Sequence, residues 1–534
     1  MKKISLVFLI AAVEMMSCKK ILNVQSYTSI TDATAFETAD RAQLALYGVY
    51  DAAQSGPYNG GTEKRGYPFG SANIEQGDCR GEDALNIAAF YQITYQATYN
   101  PTTANNVAMW DQSYSMINKA NVSIAGFRGA ATNGILTAAV ALQYEAECRF
   151  LRAMAHHELV IHYARPYLDG NGDKLGVPYR DVPNSNGAAI DALRTTPRPT
   201  VAEDYTKILA DLDFAEANLP ALQTGSTAGI STWRATKAAA IALKMRVKLH
   251  MGDYAGVITE GNKLVPATAP YVSPIGAWTL TATADGAFSA GGGLNASKEN
   301  VFSIKNDALD APSVNGSLAG QYGPANLGGR GLVAISPVIW NNNGWKCDDK
   351  RRTLLYATGT NANNGTSILT IKYKDYATRG DYAPQIRYAE ILLTLAEAEA
   401  RTGAGISARA LSLLNAVRDR ALANPATDTY TAASFADKIA LVKAILLERR
   451  IEFLMEGKRW GDISRLCGEN NVNYTVGGIP AKASNGSQGA ALYSCGTAYT
   501  PAQAAIPYSD FRFIWPIPAD EVIQNPIIAQ NPGY

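Results

Sequence analysis

The sequence predicts a mainly α-helical fold in which pairs of helices support a loop-rich face with minor β content. The strongest evidence is the stretch 385–421, whose apolar residues recur at helical spacing on both sides of Gly403 and Gly405. This pattern is typical of two antiparallel helices. By contrast, Gly, Asn and Tyr are dense in 56–103 and 267–382, where the helical period is lost. We therefore expect long loops there.

Periodicity and helix-ending residues predict the other elements in chain order. Helices are expected at 31–53, 109–127, 136–163, 201–219, 235–249, 255–265 and 434–466, and short strands at 301–305 and 368–373. Thr31 or Asp32 is a plausible N-cap of the first helix. Pro166 and Pro220 follow two of the helices, which a proline cannot continue.

The turn Gly252-Asp253-Tyr254 joins two of these helices, and Pro266 closes the unit. This arrangement resembles a tetratricopeptide repeat. Such repeats bury their apolar faces only by stacking on one another. Several stacked pairs are therefore expected.

Composition and charge exclude some function classes. The chain has 534 residues with 48 basic and 47 acidic side chains, a net charge of +1 and no run of like charge. A nucleic-acid partner normally requires a basic face, so none is expected. The 28 Tyr, 7 Trp and 46 Gly suit polar loops that display aromatic rings.

Residues 1–17 have the layout of a lipoprotein signal peptide. Lys2 and Lys3 precede an apolar run at 4–13, which is shorter than the roughly 20 residues that span a bilayer. The small Ser17 precedes Cys18, so Cys18 is predicted to carry the lipid. An ordinary secretory signal cleaved near Ser17 is the alternative.

The other five cysteines are widely spaced and contain no C-x-x-C pair. They therefore indicate neither a disulfide framework nor a zinc site. Cys148 lies on an apolar helical face and is expected in the core. Cys467 and Cys495 flank one loop and can pair, a question that the spacing leaves open.

Five segments in the same order resemble the SusD/RagB family of Bacteroidetes outer-membrane lipoproteins. They read EAECRFLRAMAHHELVIHY, ATKAAAIALKMRVKLHMGDYAGVI, RYAEILLTLAEAEA, ERRIEFLMEGKRWGDISR and WPIPADEVIQNPIIAQNPGY. The resemblance implies one integrated fold. Its parts are an N-terminal helical region with ligand-side loops at 18–225 and a C-terminal region of tetratricopeptide-like pairs and variable loops at 226–534.

The resemblance also implies a non-enzymatic protein that binds glycans at the cell surface. Such proteins sit on a SusC-like TonB-dependent transporter in the outer membrane. One feature departs from the pattern, because Lys19 and Lys20 follow Cys18 where acidic residues often accompany surface export. The resemblance therefore predicts attachment to the outer membrane more firmly than it predicts which side of that membrane the protein faces.

Carboxylates spaced along one helix raise the possibility of hydrolysis. Glu448, Glu452 and Glu456 lie four residues apart, and a glycoside hydrolase needs two carboxyl groups across a sugar. Arginines and lysines alternate with them, which favours an ion-paired helix. The same interpretation applies to Glu390, Glu397 and Glu399.

Three histidines share one helix but lack metal-site spacing. His156, His157 and His162 do not form the i, i+4 pair with a third ligand that zinc sites use, so packing or capping roles are expected. No Walker A motif, G-x-S-x-G or dinucleotide fingerprint occurs. No cofactor is therefore expected.

The segment DGNGDKLG alternates acidic and polar residues as a calcium loop does. Asp169, Asn171 and Asp173 fit, but Lys174 and Arg180 stand where Gly and Glu are required. A polar turn is the better interpretation, with bound calcium as a weaker alternative.

The candidate ligand-binding residues are loop aromatics and their polar neighbours. Aromatic rings cover the C–H face of a sugar, while amides, carboxylates and guanidinium groups bond its edge. Trp110, Trp340 and Trp460 are expected in the core. Trp233 is expected to pack at the start of the repeat unit, and Trp515 belongs to the terminal segment that resembles the family. The remaining candidates are Tyr67, Asp78, Arg80, Tyr91, Tyr95, Tyr99, Trp278, Tyr322, Asn326, Arg330 and Trp345.

The sequence thus favours a lipid-anchored protein that captures oligosaccharide and passes it to an outer-membrane transporter. Capture of a peptide or glycopeptide is the alternative within the same class. A glycoside hydrolase and a transporter scaffold without ligand are the rivals from other classes.

Overall fold

The computed structural model describes residues 34–58, 60–223, 232–288, 297–469 and 477–534. The predicted signal peptide, Cys18 and the two possible N-cap residues at 31 and 32 lie outside these ranges. The mainly α-helical prediction is confirmed. No helix within the described ranges is long and apolar enough to cross a membrane.

The helices and strands of the described ranges are numbered here in chain order. The helices are α1 Ala39–Gln54, α2 Ala72–Arg80, α3 Gln92–Gln96, α4 Ala104–Thr132, α5 Ala138–Tyr163, α6 Gly187–Leu193, α7 Val201–Asn218, α8 Lys237–Met251, α9 Tyr254–Leu264, α10 Leu318–Tyr322, α11 Pro337–Trp340, α12 Arg351–Leu354, α13 Tyr388–Thr402, α14 Ala408–Arg418, α15 Pro425–Asp428, α16 Lys438–Glu452, α17 Lys458–Leu466 and α18 Ala519–Gln524. The strands are β1 Ala84–Asn86, β2 Asn300–Ile304, β3 Val333–Ile335, β4 Tyr356–Thr360, β5 Thr366–Thr370, β6 Ala383–Arg387, β7 Gly478–Ile479 and β8 Ile506–Pro507. They pair antiparallel as β1–β3, β2–β6, β4–β5 and β7–β8.

The long helices pack in sequential pairs. Helix α4 packs on α1 and α5, α5 on α7, α7 on α8, α8 on α9, and α9 on α13, which also contacts α14 and α16. Gly252 ends α8 at φ 71°, and the Asp253 side chain accepts a hydrogen bond from the Gly256 amide at 2.8 Å to begin α9. The repeat-like turn is thus confirmed.

The stretch that predicted the fold forms the end of β6 followed by α13 and α14. Its stripe of Ile391, Leu392, Leu395, Leu413 and Leu414 is buried, at 2% exposure or less. These side chains lie within the main hydrophobic core. The prediction of a helical pair is confirmed.

The expected helix at 434–466 is two helices, α16 and α17. The chain turns between them, with Met455 at φ 64° and Gly457 at φ 73°. A Cβ on Gly77 of α2 would lie 2.4 Å from the Gly457 carbonyl oxygen, so two glycines allow α2 to approach this turn. The apolar period continues across the turn, which is why periodicity alone did not show the break.

Two further expectations need correction. The first helix begins at Ala39 with Thr38 as its N-cap, not near residue 31. The stretch 56–103, expected to be loop, contains α2, β1 and α3. Eight of the nine residues of α2 are buried, and they include polar ones such as Glu75, Asp78 and Arg80, so no stripe of apolar residues marks this helix in the sequence.

The described cysteines form a disulfide that was not expected. Cys347 bonds Cys495 with 5.7 Å between their Cα atoms, whereas Cys467 is a buried free thiol. The possible pairing of Cys467 with Cys495 is therefore wrong. The bonded residues are 148 positions apart, so proximity along the chain did not indicate the pair. Cys148 is buried, as expected.

Candidate functional site

The spaced carboxylates lie inside a buried ionic network. Arg351 bonds Glu448 at 2.6 Å and Glu452 at 3.1 Å. Arg387 bonds Glu452 at 3.0 Å and Glu456 at 2.7 Å. Burial favours the neutral acid, but Arg420, Arg387 and Arg351 outweigh it and hold the pKa of Glu452 well below its usual range. These carboxylates serve the frame, which confirms the ion-paired interpretation.

The carboxylates of α13 have similar partners. Arg246 bonds Glu390 at 2.7 Å, Arg465 bonds Glu397 at 2.7 Å, and Arg409 bonds Glu399 at 2.8 Å. Each is therefore compensated by a guanidinium within the helical frame.

The histidines pack within the protein. His156, His157 and His162 are at most 2% exposed, and burial lowers the pKa of each, to about 3 for His157. His156 accepts a hydrogen bond from the Arg180 amide at 3.1 Å. In the described ranges, no group of His, Cys, Asp and Glu side chains is arranged to hold a metal ion.

The calcium-like segment forms a turn. The Tyr508 hydroxyl donates to Asp169 at 2.6 Å, and Lys174 pairs with Asp173 at 3.3 Å. Asn171 adopts φ 53°, which Asn tolerates better than most residues. The interpretation as a polar turn fits this geometry.

Nine of the eleven candidate ligand residues are at most 4% exposed. They are Tyr67, Asp78, Arg80, Tyr91, Tyr95, Tyr99, Trp278, Tyr322 and Trp345. A ring without an exposed face cannot stack on a sugar. The structure therefore buries these residues instead of displaying them on a loop surface, and their contact with a ligand stays a prediction.

The buried candidates pack against each other and against the frame. Arg80 lies 3.4 Å from the ring centroid of Trp460 and donates to the Phe513 carbonyl at 2.6 Å. Arg352 lies 4.1 Å from the Trp345 ring. The buried aromatic candidates of the predicted loops therefore belong to the hydrophobic core and not to an exposed face.

The five tryptophans that were not candidates for ligand binding differ in burial. Trp110, Trp460 and Trp515 are buried, whereas Trp233 and Trp340 are half-buried and pack against the core from outside.

The two remaining candidates, Asn326 and Arg330, lie at the surface, and Arg330 belongs to an accessible aromatic cluster. Its guanidinium lies 5.6 Å from the ring centroid of Phe90, and that of Arg65 lies 5.1 Å from the same ring. Arg65 also lies 4.1 Å from the Tyr58 ring. The Arg330 side chain donates to Asn315. Tyr58, Arg65, Phe90, Asn315 and Arg330 are all partly exposed, and we call them the Phe90 surface.

Loops from distant parts of the chain form this surface. The Ser313 hydroxyl donates to the Lys64 carbonyl at 3.0 Å, which joins the segment that carries Arg65 to the segment that carries Asn315. Gly66 has φ 70°, and a Cβ there would lie 2.8 Å from the Gly316 carbonyl oxygen. Tyr58 donates to Asn105 of α4 at 2.9 Å, which fixes the surface to the frame.

Buried polar residues support the surface from beneath. Tyr91, next to Phe90, donates a hydrogen bond to the Glu75 carboxyl group. Burial raises the pKa of Glu75 to about 8. Glu75 is therefore largely protonated at neutral pH and does not offset the positive charge of Arg330.

The Phe90 surface has the groups that a sugar requires. A partly exposed ring offers an apolar face, and guanidinium and amide groups beside it offer hydrogen bonds. Sequence reasoning found Arg330 but missed Tyr58, Arg65 and Phe90. The dipeptide Phe90-Tyr91 carried a usable signal, because one ring of such a pair can be buried while the other faces out.

Comparisons with known proteins identify the family. A model described as "SusD family" matches residues 349–534, and a model described as "Starch-binding associating with outer membrane" matches residues 66–249. Together they cover more than half of the chain. The chain belongs to the SusD family.

Individual SusD relatives agree over most of the chain. A SusD-like protein of Formosa agariphila is 26% identical over 465 residues, which is 80% of each chain. A crystal structure of a SusD superfamily protein from Bacteroides fragilis has 26% identity and a TM-score of 0.72, and covers 92% of this chain and 99% of that one. Surface glycan-binding protein A from Bacteroides uniformis shares the fold at 20% identity and a TM-score of 0.65, with coverage of 92% and 99%.

The SusD family consists of binding proteins, and solved relatives include glycan-binding ones. Phe90 lies inside the matched range 66–249, whereas Asn315 and Arg330 lie between 249 and 349, outside both matched ranges. The division at 225/226 falls in a part of the chain that the structure does not describe, so it stays a prediction.

Proposed function

We propose that this SusD-family protein captures a glycan on the Phe90 surface. The observation that carries the proposal is the partly exposed Phe90 ring, which has two guanidinium groups at 5.1 and 5.6 Å from its centroid. The ring covers the C–H face of one sugar residue. Arg65, Arg330 and Asn315 bond the hydroxyl groups or acidic substituents at its edge.

The affinity should be modest because the cargo has to be released again. We expect a Kd between roughly millimolar and micromolar, or about −4 to −8 kcal/mol. One aromatic platform with a few exposed polar groups fits this range better than an enclosed pocket would.

Delivery to a transporter completes the proposed function. The protein is proposed to be anchored in the outer membrane through a lipid on Cys18 and to pass oligosaccharide to a SusC-like TonB-dependent transporter. The family assignment and the outer-membrane description of one matching model support this role. The exposed Asn326 side chain accepts a hydrogen bond from the Thr360 backbone amide at 3.0 Å, which fixes its position. We propose Asn326 as a peripheral ligand contact.

Calorimetry or affinity electrophoresis across a polysaccharide panel tests the capture step. The protein should bind at least one glycan, and Phe90→Ala should weaken that binding about tenfold or more. Phe511→Ala is the matched control, because Phe511 is 40% exposed and lies outside the Phe90 surface. Absence of binding to every glycan, or equal loss in both variants, would contradict the proposal.

The rival functions give different results. Release of reducing ends from a bound glycan would indicate hydrolysis, and binding of peptides alone would indicate the peptide-capturing alternative. Unchanged oligosaccharide uptake by cells that carry Phe90→Ala would favour a scaffold without ligand.

A further inference from the structure

A cleft lies away from the Phe90 surface, between α4, α6 and α18. Its volume is about 280 Å³, and we call it the α18 cleft. None of its lining residues belongs to the Phe90 surface. Tyr114 of this cleft is nine residues along α4 from Asn105, the residue that Tyr58 contacts. At 1.5 Å per residue the two points are roughly 13 Å apart along the helix.

Two asparagines of α4 build one wall of the cleft. The Asn118 side chain donates to the Asn184 carbonyl at 3.2 Å and accepts from the Asn184 amide at 2.7 Å. The Asn121 side chain donates to the carbonyls of Arg180 and Val182 at 3.2 and 3.1 Å. The segment 180–184 is therefore held rigidly along α4, and the cleft is preformed.

Three polar atoms on the lining residues are buried without a partner. They are Arg180 Nη1, Asn184 Oδ1 and Asn525 Oδ1, which have no hydrogen bond within the ranges that the structure describes. Buried polar groups in proteins are normally paired. A ligand that both accepts and donates hydrogen bonds would supply the partners that this donor and these two acceptors lack.

The charges around the cleft favour a neutral ligand. Arg180 is paired with Glu521 at 3.0 Å, and Arg194 donates to the neutral Gln524 at 2.8 Å. Burial, followed by the charges of Asp520 and Glu521, raises the pKa of Asp111 on α4 to about 6. The lining itself carries Arg180, Arg194 and Glu521, and the nearby carboxylates balance its two guanidinium groups, so charge of neither sign predominates.

Apolar side chains share the cleft lining with these polar groups. They are Ile117, Val182, Ile190 and Leu193, of which Val182 and Ile190 are 57% and 42% exposed. A ligand with an apolar face and polar edges can contact both kinds of group at once. The volume is slightly below the roughly 300–1,000 Å³ of typical ligand pockets, which indicates a small ligand.

We propose that the α18 cleft is a second saccharide site that takes one or two neutral sugar rings. The C–H face of a ring contacts Val182 and Ile190, and its hydroxyl groups bond Arg180, Asn184 and Asn525. This site goes beyond the proposed function, because it operates whether or not the Phe90 surface binds glycan.

Methyl NMR of the full chain with labelled isoleucines tests the proposal and separates the two sites. Ile117 and Ile190 report on the α18 cleft, whereas Ile93, 44% exposed and close in sequence to Phe90, reports on the Phe90 surface. Glucose, galactose, mannose, N-acetylglucosamine, maltose, lactose and cellobiose would be titrated to millimolar concentration. At least one should shift the Ile117 and Ile190 signals in a saturable way.

A blocking variant then checks the location. Val182→Trp places a large side chain at the rim and should weaken the saccharide response of Ile117 about tenfold or more. Leu142→Trp is the matched control, because Leu142 is 43% exposed on α5 and does not line the α18 cleft. That variant should respond as the wild type does.

Each remaining outcome overturns one specific statement. Shifts at Ile93 alone would refute the second site and leave the Phe90 surface standing. Shifts at Ile117 that survive Val182→Trp would also refute it, because the ligand would then act from elsewhere. Shifts produced only by short peptides would replace the saccharide with a peptide ligand.

Discussion

Arginine serves opposite purposes in the buried ionic network and on the Phe90 surface. The Arg387 side chain is 1% exposed and bonds three carboxylates, those of Glu299, Glu452 and Glu456. Arg330 is partly exposed and contacts a neutral amide and an aromatic ring. Arg387 therefore has its hydrogen bonds satisfied inside the protein, whereas Arg330 retains capacity for a ligand.

The difference shows where charge stabilises the fold and where it remains available for binding. A buried guanidinium must be compensated, since an unpaired buried charge is very unfavourable. A surface guanidinium is stabilised by water and can exchange that water for a ligand. The same residue type is therefore structural in one region and a binding candidate in the other.

The largest expected effect comes from opening the buried network. Arg387→Met leaves buried carboxylates without their main cation and should lower the free energy of unfolding by about 3–5 kcal/mol. Urea unfolding followed by circular dichroism measures this loss. Arg41→Met is the control, because the side chains of Arg41 and its partner Glu37 are 42% and 56% exposed, and it should cost at most about 1 kcal/mol. Equal losses in the two variants would refute the contrast between buried and exposed arginines.

The disulfide should have the next largest effect. Replacing Cys347 and Cys495 together by Ser should lower stability by about 2–4 kcal/mol, because the bond closes a loop with a sequence separation of 148. Non-reducing peptide mapping should recover the two residues in one linked fragment. A fragment linking Cys467 to Cys495 would instead restore the pairing that the structure contradicts.

A pH-dependent effect should follow from the support beneath the Phe90 surface. Burial raises the pKa of Glu75 from 4.5 to about 8, so the folded state binds this proton more tightly than the unfolded state. The resulting stabilisation is complete below about pH 4.5 and is lost as the pH rises to about 8. One such group contributes a slope of up to about 1.4 kcal/mol per pH unit.

Glu75→Gln isolates that contribution, because the amide does not titrate. The stability of the variant relative to the wild type should increase between pH 5 and pH 8. Glu63→Gln, which removes an exposed carboxylate close to the same surface, is the matched control. Parallel pH profiles for Glu75→Gln and the wild type would show that Glu75 does not hold its proton in the folded protein.

The sequence predicted the frame better than the binding face, for a physical reason. The apolar stripe of 385–421 and the Gly252-Asp253-Tyr254 turn carry local periodic signals, and both predictions are confirmed. The burial of Tyr95 depends on residues more than a hundred positions away, such as Ala483, which accepts a hydrogen bond from Tyr95 at 2.8 Å. No local pattern shows which of several loop aromatics such partners cover.

The smallest expected effect on stability comes from Arg330, and it is the sharpest test of the comparison. Arg330→Gln removes a charge that has no carboxylate partner in the described ranges, so stability should change by no more than about 0.5 kcal/mol. Glycan affinity should fall several-fold, because an exposed guanidinium beside an aromatic ring contributes roughly 0.5–1 kcal/mol and a charge-assisted hydrogen bond adds to it. Calorimetry with a glycan that binds the wild type measures the affinity, and urea unfolding measures the stability. A large loss of stability with unchanged affinity would place Arg330 with Arg387 in the frame and leave Phe90 and Arg65 to hold the ligand.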